Sequence, residues 1–183
     1  TGVELRAELT EAGNGIARSL GLEGLDFVAG DIHGHPAEPV DLMIALHACD
    51  IATDVAMHRG AVCGAAIIVC APCCHKELRP QLHSPPVLEP LLRHGIHRSE
   101  CAEMLTDALR ALLLRRHGYD TQVFEFVSPE HTGKNKMVLA VRRAQPLPAS
   151  VHEQLARQVS ELKAFFGVRS QYLEALFADD QAT

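Results

Sequence analysis

The chain has 183 residues and a mass of 19.9 kDa, the size of one ordinary domain with room for a real core. Hydrophobic residues make up 47% and charged residues 22%, which excludes disorder. A net charge of −6 excludes an overall basic footprint, and 4% aromatics with no Trp count against a base-stacking surface of the kind single-stranded nucleic-acid binders use.

Basic residues still cluster at Arg115–Arg116 and around Lys134, Lys136, Arg142 and Arg143, most simply as surface charge. The six Cys are not spaced like the frame of a small secreted scaffold, and no signal peptide precedes them. No apolar run reaches the ~20 residues of a membrane span. A soluble chain with free thiols in a reducing, cytoplasmic setting is the expectation. The opening Thr1-Gly2-Val3-Glu4-Leu5 has no initiator Met and reads as the middle of a strand.

Alternation over Val3–Leu9 predicts a short strand. Thr10 is then placed to cap a helix through Ile16, Ala17 and Leu20 that Gly21 stops. Leu25 to Gly30 forms a second strand ending at Asp31, followed by a His- and Pro-bearing loop over 32–39. Asp41 to Leu46 is nearly all apolar, the pattern of a strand covered on both faces of a parallel sheet. Thr53 caps the next helix, which ends at Gly64, and Ala65 to Cys70 is another apolar strand, closed by Pro72. After a Pro- and His-rich linker, Ser99 caps a strong helix through Ala102, Leu105, Leu109 and Leu113 to Gly118. Gln122–Val127 and Lys136–Arg142 read as an antiparallel pair that puts an antiparallel strand at the sheet edge. Ser150-Val151-His152-Glu153 is a capping box for a helix ending at Gly167, and a last helix spans about Gln171 to Phe177. Alternating apolar strands and helices make this an α/β chain with a doubly wound, mostly parallel sheet.

Ligands of such sheets bind beyond the carboxyl ends of the strands. Those ends carry Glu4, then Asp31, then His47-Ala48-Cys49-Asp50, then Pro72-Cys73-Cys74-His75. Glu4 is either an acceptor for a ribose diol or a solvated carboxylate. Cys73, Cys74 and His75 with His47 and Cys49 suit zinc by residue type. Adjacent cysteines, with no Cys-x2-Cys pair, argue against one tetrahedral ion, so no metal is expected. A Cys nucleophile with His75 or His47 as base is a second reading, and small thiols packing a strand–loop junction are a third. Asp50 and Asp54 flank Thr53 at a helix start, where Asp54 reads as a capping and dipole residue. Glu130-His131-Thr132 reads as a loop able to close over the site, or as a solvated turn.

Ala45-Leu46-His47-Ala48-Cys49-Asp50-Ile51-Ala52-Thr53-Asp54 followed by Ala71-Pro72-Cys73-Cys74-His75-Lys76 resembles one branch of the class I methyltransferases. That branch holds an uncharacterised bacterial group, methyltransferase-like protein 25 and, with a similar motif pair, Trm13-like tRNA 2′-O-methyltransferases. Glu125-Phe126-Val127 and Glu130-His131-Thr132-Gly133-Lys134-Asn135 are similar to the bacterial group's carboxyl-terminal signature. The resemblance runs from about Gly2 to Arg143, giving a Rossmann-like domain over 1–145 and a helical extension over 146–183. It implies a methyltransferase that uses S-adenosyl-L-methionine. Glu4 and Leu5 would line the ribose, Asp31 and Ile32 the adenine, and Leu46 the methionine part of that cofactor. His47 or Asp50 would be the base, and Cys49, Pro72, Cys73, Cys74 and His75 would shape the acceptor pocket. RNA or tRNA is one acceptor class, and a small molecule or a protein is another.

The family's Asp-x-Gly-x-Gly loop and first strand belong before Gly2 and are missing from these residues, which makes the missing strand a central member of the sheet. Cofactor binding by this exact chain is therefore expected to be weak unless the full protein supplies that segment. Pairing across the gap by a second copy, giving a homodimer, is a further expectation. Two rival readings are a degenerate Rossmann-like interaction module and a Cys/His metal-binding domain.

Overall fold

The computed structural model describes residues 1–46, 48–83, 85–127 and 135–181, and they form two compact units, Thr1–Glu38 and Pro39–Thr183. The architecture is mixed α/β, consistent with a Rossmann-like fold.

The first unit is a strand–helix–strand piece: β1 (Gly2–Glu4), α1 (Ala7–Ser19) and β2 (Phe27–Ala29). β1 and β2 pair in parallel, with Glu4 opposite Ala29. The strand expected to run to Leu9 stops at Glu4. Leu5 and Leu9 are both exposed, so alternation has no buried face to extend it, and the helix formers from Ala7 onward take over. Arg6, in extended conformation, is the N-cap in place of Thr10, which lies inside α1 with its hydroxyl on the Arg6 carbonyl. Gly13 is tolerated mid-helix because a Cβ there would come within about 3.0 Å of the Phe27 ring. Asn14 fixes the packing, accepting from the Phe27 N–H and donating to the Phe27 carbonyl, both at 2.8 Å.

The second unit runs β3 (Leu42–Leu46), α2 (Ile51–Val62), β4 (Ile67–Ala71), a 3-10 turn (Pro86–Leu88), α3 (Glu89–Leu92) and α4 (Gly95–Arg116). It continues with β5 (Tyr119–Glu125), β6 (Lys136–Arg142), α5 (Ala149–Phe166) and α6 (Tyr172–Gln181). Its sheet has the order β3-β4-β6-β5, with β3 and β4 parallel and β6 antiparallel to both neighbours. The antiparallel strand thus lies one position in from the sheet edge, between β4 and β5, rather than at the edge itself.

One doubly wound sheet is not what forms. Among the described residues the β1–β2 ladder and the four-stranded ladder are separate sheets. No described strand pairs with both, and the resemblance expects a central strand from before Gly2. β3 departs from expectation for a related reason. It is an edge strand, and Leu42, Ile44 and Leu46 are 49%, 55% and 59% exposed, so only the face carrying Met43 and Ala45 is covered.

The core of the second unit gathers Met57 of α2, Ile68 and Cys70 of β4, Leu105, Leu109 and Leu113 of α4, Val138 and Ala140 of β6, and Leu173 of α6. α2 packs on α6, and α4 on α5. Gly64, Gly118 and Gly167 all take positive φ at the stops the sequence marks. The helix starts fit less well. α4 begins at Gly95 with His94 as N-cap rather than Ser99, and α5 begins after Pro148, which places Ser150 inside the helix. Both flanking residues are extended with no side-chain cap, so the backbone turn, not a hydroxyl, sets the start.

Candidate functional site

The carboxyl end of β1 presents Glu4, half-buried, and the Glu4 carbonyl accepts from the Gly30 N–H at 3.0 Å just beyond β2. Its carboxylate accepts from the Arg6 N–H at 3.0 Å and from the Arg6 guanidinium at 3.2 Å. Those two bonds hold the carboxyl below its ordinary value. Leu5 is 74% exposed and Asp31 is exposed, its Oδ1 accepting from the His33 N–H at 2.9 Å in an Asx turn, while Ile32 is half-buried. The structure therefore places Glu4 beside the turn that leads into Asp31, at one end of the β1–β2 ladder.

In the second unit the ends of β3 and β4 lie side by side, with Leu46 opposite Ala71. Leu46 itself is exposed. His47 and Glu130-His131-Thr132 lie outside the described residues. Three sulfurs converge beyond these strand ends: Cys49 to Cys73 is 3.2 Å, Cys49 to Cys74 is 3.5 Å and Cys73 to Cys74 is 3.7 Å. Pro72 is buried. The objection that neighbouring cysteines cannot face one point does not hold for Cys73 and Cys74. Burial, then the hydrogen bonds that the Cys73 S–H makes with the Cys49 and Cys74 sulfurs, pushes the Cys73 thiol up to about 12.

Asp50 closes the β3–α2 turn at φ 56 and ψ −122, the one described non-glycine residue with positive φ. Such a conformation costs about 1–3 kcal/mol and persists only where its surroundings over-determine it. They do so here. Asp50 Oδ1 accepts from the Glu77 N–H at 3.0 Å, its carbonyl accepts from Arg110 at 2.9 Å, and the Thr53 hydroxyl donates to the Ala48 carbonyl. The clamp joins the turn carrying Cys49 to the loop carrying Cys73 and Cys74.

Below this turn is a buried charge network that sequence reasoning missed. Arg110, fully buried, donates to both carboxylate oxygens of Asp54 at 3.0 and 2.8 Å and to Asp107 at 3.4 Å. Burial opposes the guanidinium charge, but the Asp54 hydrogen bonds and the charges of Asp54 and Asp107 outweigh it and raise its pKa. Gln171, the residue before α6, adds a 2.9 Å bond to Asp54. Asp54 is thus the acceptor of a buried ion pair, not a cap of α2, whose N-cap is Asp50. His75 is also buried, with Nε2 3.2 Å from Asp107 and Nδ1 4.0 Å from Glu103, which in turn pairs with Lys136 at 2.7 Å. Among the described residues, the recorded partners of His75 are carboxylates rather than thiols, so it is not arranged as the base of a Cys nucleophile.

Glu77 was also missed. It is half-buried, and burial, reinforced by the nearby Asp54 and Asp50 charges, raises its carboxyl to about 7. The signal available was a Glu two residues after the Cys-Cys-His motif. For the network it was Asp107 and Arg110, an i,i+3 charge pair within the apolar stripe of α4.

A cleft of about 900 Å³ lies alongside α4, lined by Leu88, Leu91, Leu92, Met104, Asp107 and Phe166 among others. Asp107, 2% exposed, has no hydrogen-bond partner on Oδ2 among the described residues. One wall of the cleft is therefore the carboxylate that holds His75. No described helix is long and apolar enough to cross a membrane.

No curated protein and no solved structure matches the chain. Residues 1–81 match the family model described as a methyltransferase domain, a stretch that spans β1 through the Cys73-Cys74-His75 loop. The match supports a class I methyltransferase domain.

Proposed function

We propose that the protein transfers a methyl group from S-adenosyl-L-methionine to an acceptor molecule. The carrying observation is Glu4, an ionised carboxylate at the carboxyl end of β1 next to the Gly30–Asp31 turn. An acceptor-only carboxylate in that place suits a ribose diol, and the half-buried Ile32 suits the adenine edge, so these residues fit the nucleoside half of the cofactor. When bound, the cofactor supplies a methyl group already activated on a sulfonium. The protein is left with alignment, exclusion of water and removal of the acceptor's proton.

Asp50 and His47 are our candidates for that proton. Asp50 is the better supported by geometry, because Arg110, Glu77 and its strained backbone fix its position. Cys49, Pro72, Cys73, Cys74 and His75 form the acceptor-side wall in this reading. The cleft along α4 is in the range of small-molecule sites, and its apolar lining with one buried carboxylate supports a small, largely apolar acceptor. A net charge of −6 weighs against RNA in the same role.

Calorimetric titration of S-adenosylhomocysteine into the full-length gene product tests this reading. Saturable binding is expected, and Glu4→Ala weakens it by about 10- to 100-fold, the worth of hydrogen bonds to a charged group. Absence of binding, or binding indifferent to Glu4→Ala, overturns it.

A further inference from the structure

Three thiols from two loops meet at Cys49, Cys73 and Cys74, and the methyl-transfer reading gives their sulfur chemistry no task. They are not disulfide-bonded, since a disulfide needs sulfurs about 2.05 Å apart and these lie 3.2 to 3.7 Å from one another. The separations are close to another standard. With Zn–S bonds of about 2.3 Å, the sulfurs of a tetrahedral zinc site are about 3.8 Å apart. The circle through these three sulfurs has a radius of about 2.0 Å, so a point about 1.1 Å above their plane is about 2.3 Å from each. All three offer their sulfur to one common point within bonding reach of a single ion.

We propose that Cys49, Cys73 and Cys74 bind one zinc ion as three of its ligands. An all-sulfur donor set selects zinc and other thiophilic ions over magnesium and calcium, which take oxygen ligands. The loops are preorganised for it. The Asp50–Glu77 bond crosses between them one residue after Cys49 and three after Cys74, and Arg110 holds the Asp50 carbonyl from beneath. Cys49 is exposed while Cys73 and Cys74 are half-buried, so the ion is reached from the solvent side. Binding releases protons, because a cysteine ligates zinc as its thiolate.

The test uses the full chain, stripped with chelator, kept reduced, and titrated with zinc against a chromophoric chelator. A parallel titration with cobalt reads sulfur-to-metal charge transfer. Expected is one zinc per chain, and a cobalt spectrum with thiolate charge-transfer bands. Cys49→Ser, Cys73→Ser and Cys74→Ser should each weaken zinc by more than about tenfold, since loss even of an outer partner costs that much. Cys63→Ser and Cys101→Ser should leave it unchanged. Substoichiometric zinc in the reduced wild-type protein overturns the proposal without reference to any variant. So does zinc binding that survives Cys73→Ser, or cobalt binding without thiolate bands.

Discussion

Replacing Arg110 with Met keeps much of the side-chain volume and removes the charge on which α2, α4 and the Asp50 turn converge. The guanidinium is 0% exposed and makes four hydrogen bonds: two to Asp54, one to Asp107 and one to the Asp50 carbonyl. Losing it leaves two carboxylates, 0% and 2% exposed, without their counter-charge. Breaking one partner of a buried pair costs about 3–5 kcal/mol, against a total stability of about 5–15 kcal/mol for a domain. With a urea slope of about 2 kcal/mol/M, the unfolding midpoint should fall by about 2 M. Urea unfolding followed by circular dichroism measures it. The double variant Arg110→Met/Asp54→Leu should recover about half of the loss, because one of the two stranded charges is gone and an apolar pair replaces the ion pair. An Arg110→Met midpoint within about 0.5 M of wild type would refute the argument, since it means that water reaches these carboxylates. A double variant less stable than Arg110→Met would refute the attribution to stranded charge.

Two further outcomes follow from titrating groups. The carboxyl of Glu77 is raised to about 7 in the folded chain, so its contribution to stability is fully present below about pH 4.5 and is lost as pH rises through 7. A fully buried group with that shift would give about 3 kcal/mol. The half-exposed Glu77 should give about 1–2 kcal/mol, and Glu77→Gln should flatten stability between about pH 5 and 8 by that amount. A slope unchanged in Glu77→Gln argues that the carboxyl is ordinarily solvated. His117 stacks on Phe177 with ring centres 3.5 Å apart, and burial first, then neighbouring positive groups, lowers its pKa. Its contribution is present above about pH 6.5 and is lost as pH falls, so acid should loosen α6 before the rest of the second unit. Phe177→Ala should cost about 3–5 kcal/mol and raise amide exchange in α6 at neutral pH. Equal protection of α6 in both proteins would sink that assignment.

What the sequence made legible depended on how local the determinant was. The strands β4 and β6 and the stops at Gly64, Gly118 and Gly167 follow from apolar runs and from residues that accept positive φ, properties carried within a few positions. The motif pair His47–Asp54 and Pro72–His75 likewise marked the region where three thiols meet, yet it did not show that Cys73 and Cys74 share a focus. That depends on how the loop beyond Ala71 turns, and the turn is fixed by the Asp50–Glu77 bond, made between residues 27 positions apart. Asp54 was read only in part for the same reason, since it does lie in the first turn of α2. At a helix start an aspartate looks like a dipole partner, and only the arrival of Arg110 from 56 residues away makes it a buried anion. β3 was misread because an apolar run reports what a strand can bury, not whether a partner is present to bury it. Leu42, Ile44 and Leu46 have a sheet-core composition on an edge strand. Long-range polar geometry and the covering of an apolar face are the two quantities that residue order leaves open, and both concern the site. The hydrogen bonds that shape the thiol cluster come from α4 and from the loop after β4, so the chemistry of Cys49 is set by residues that do not adjoin it in sequence.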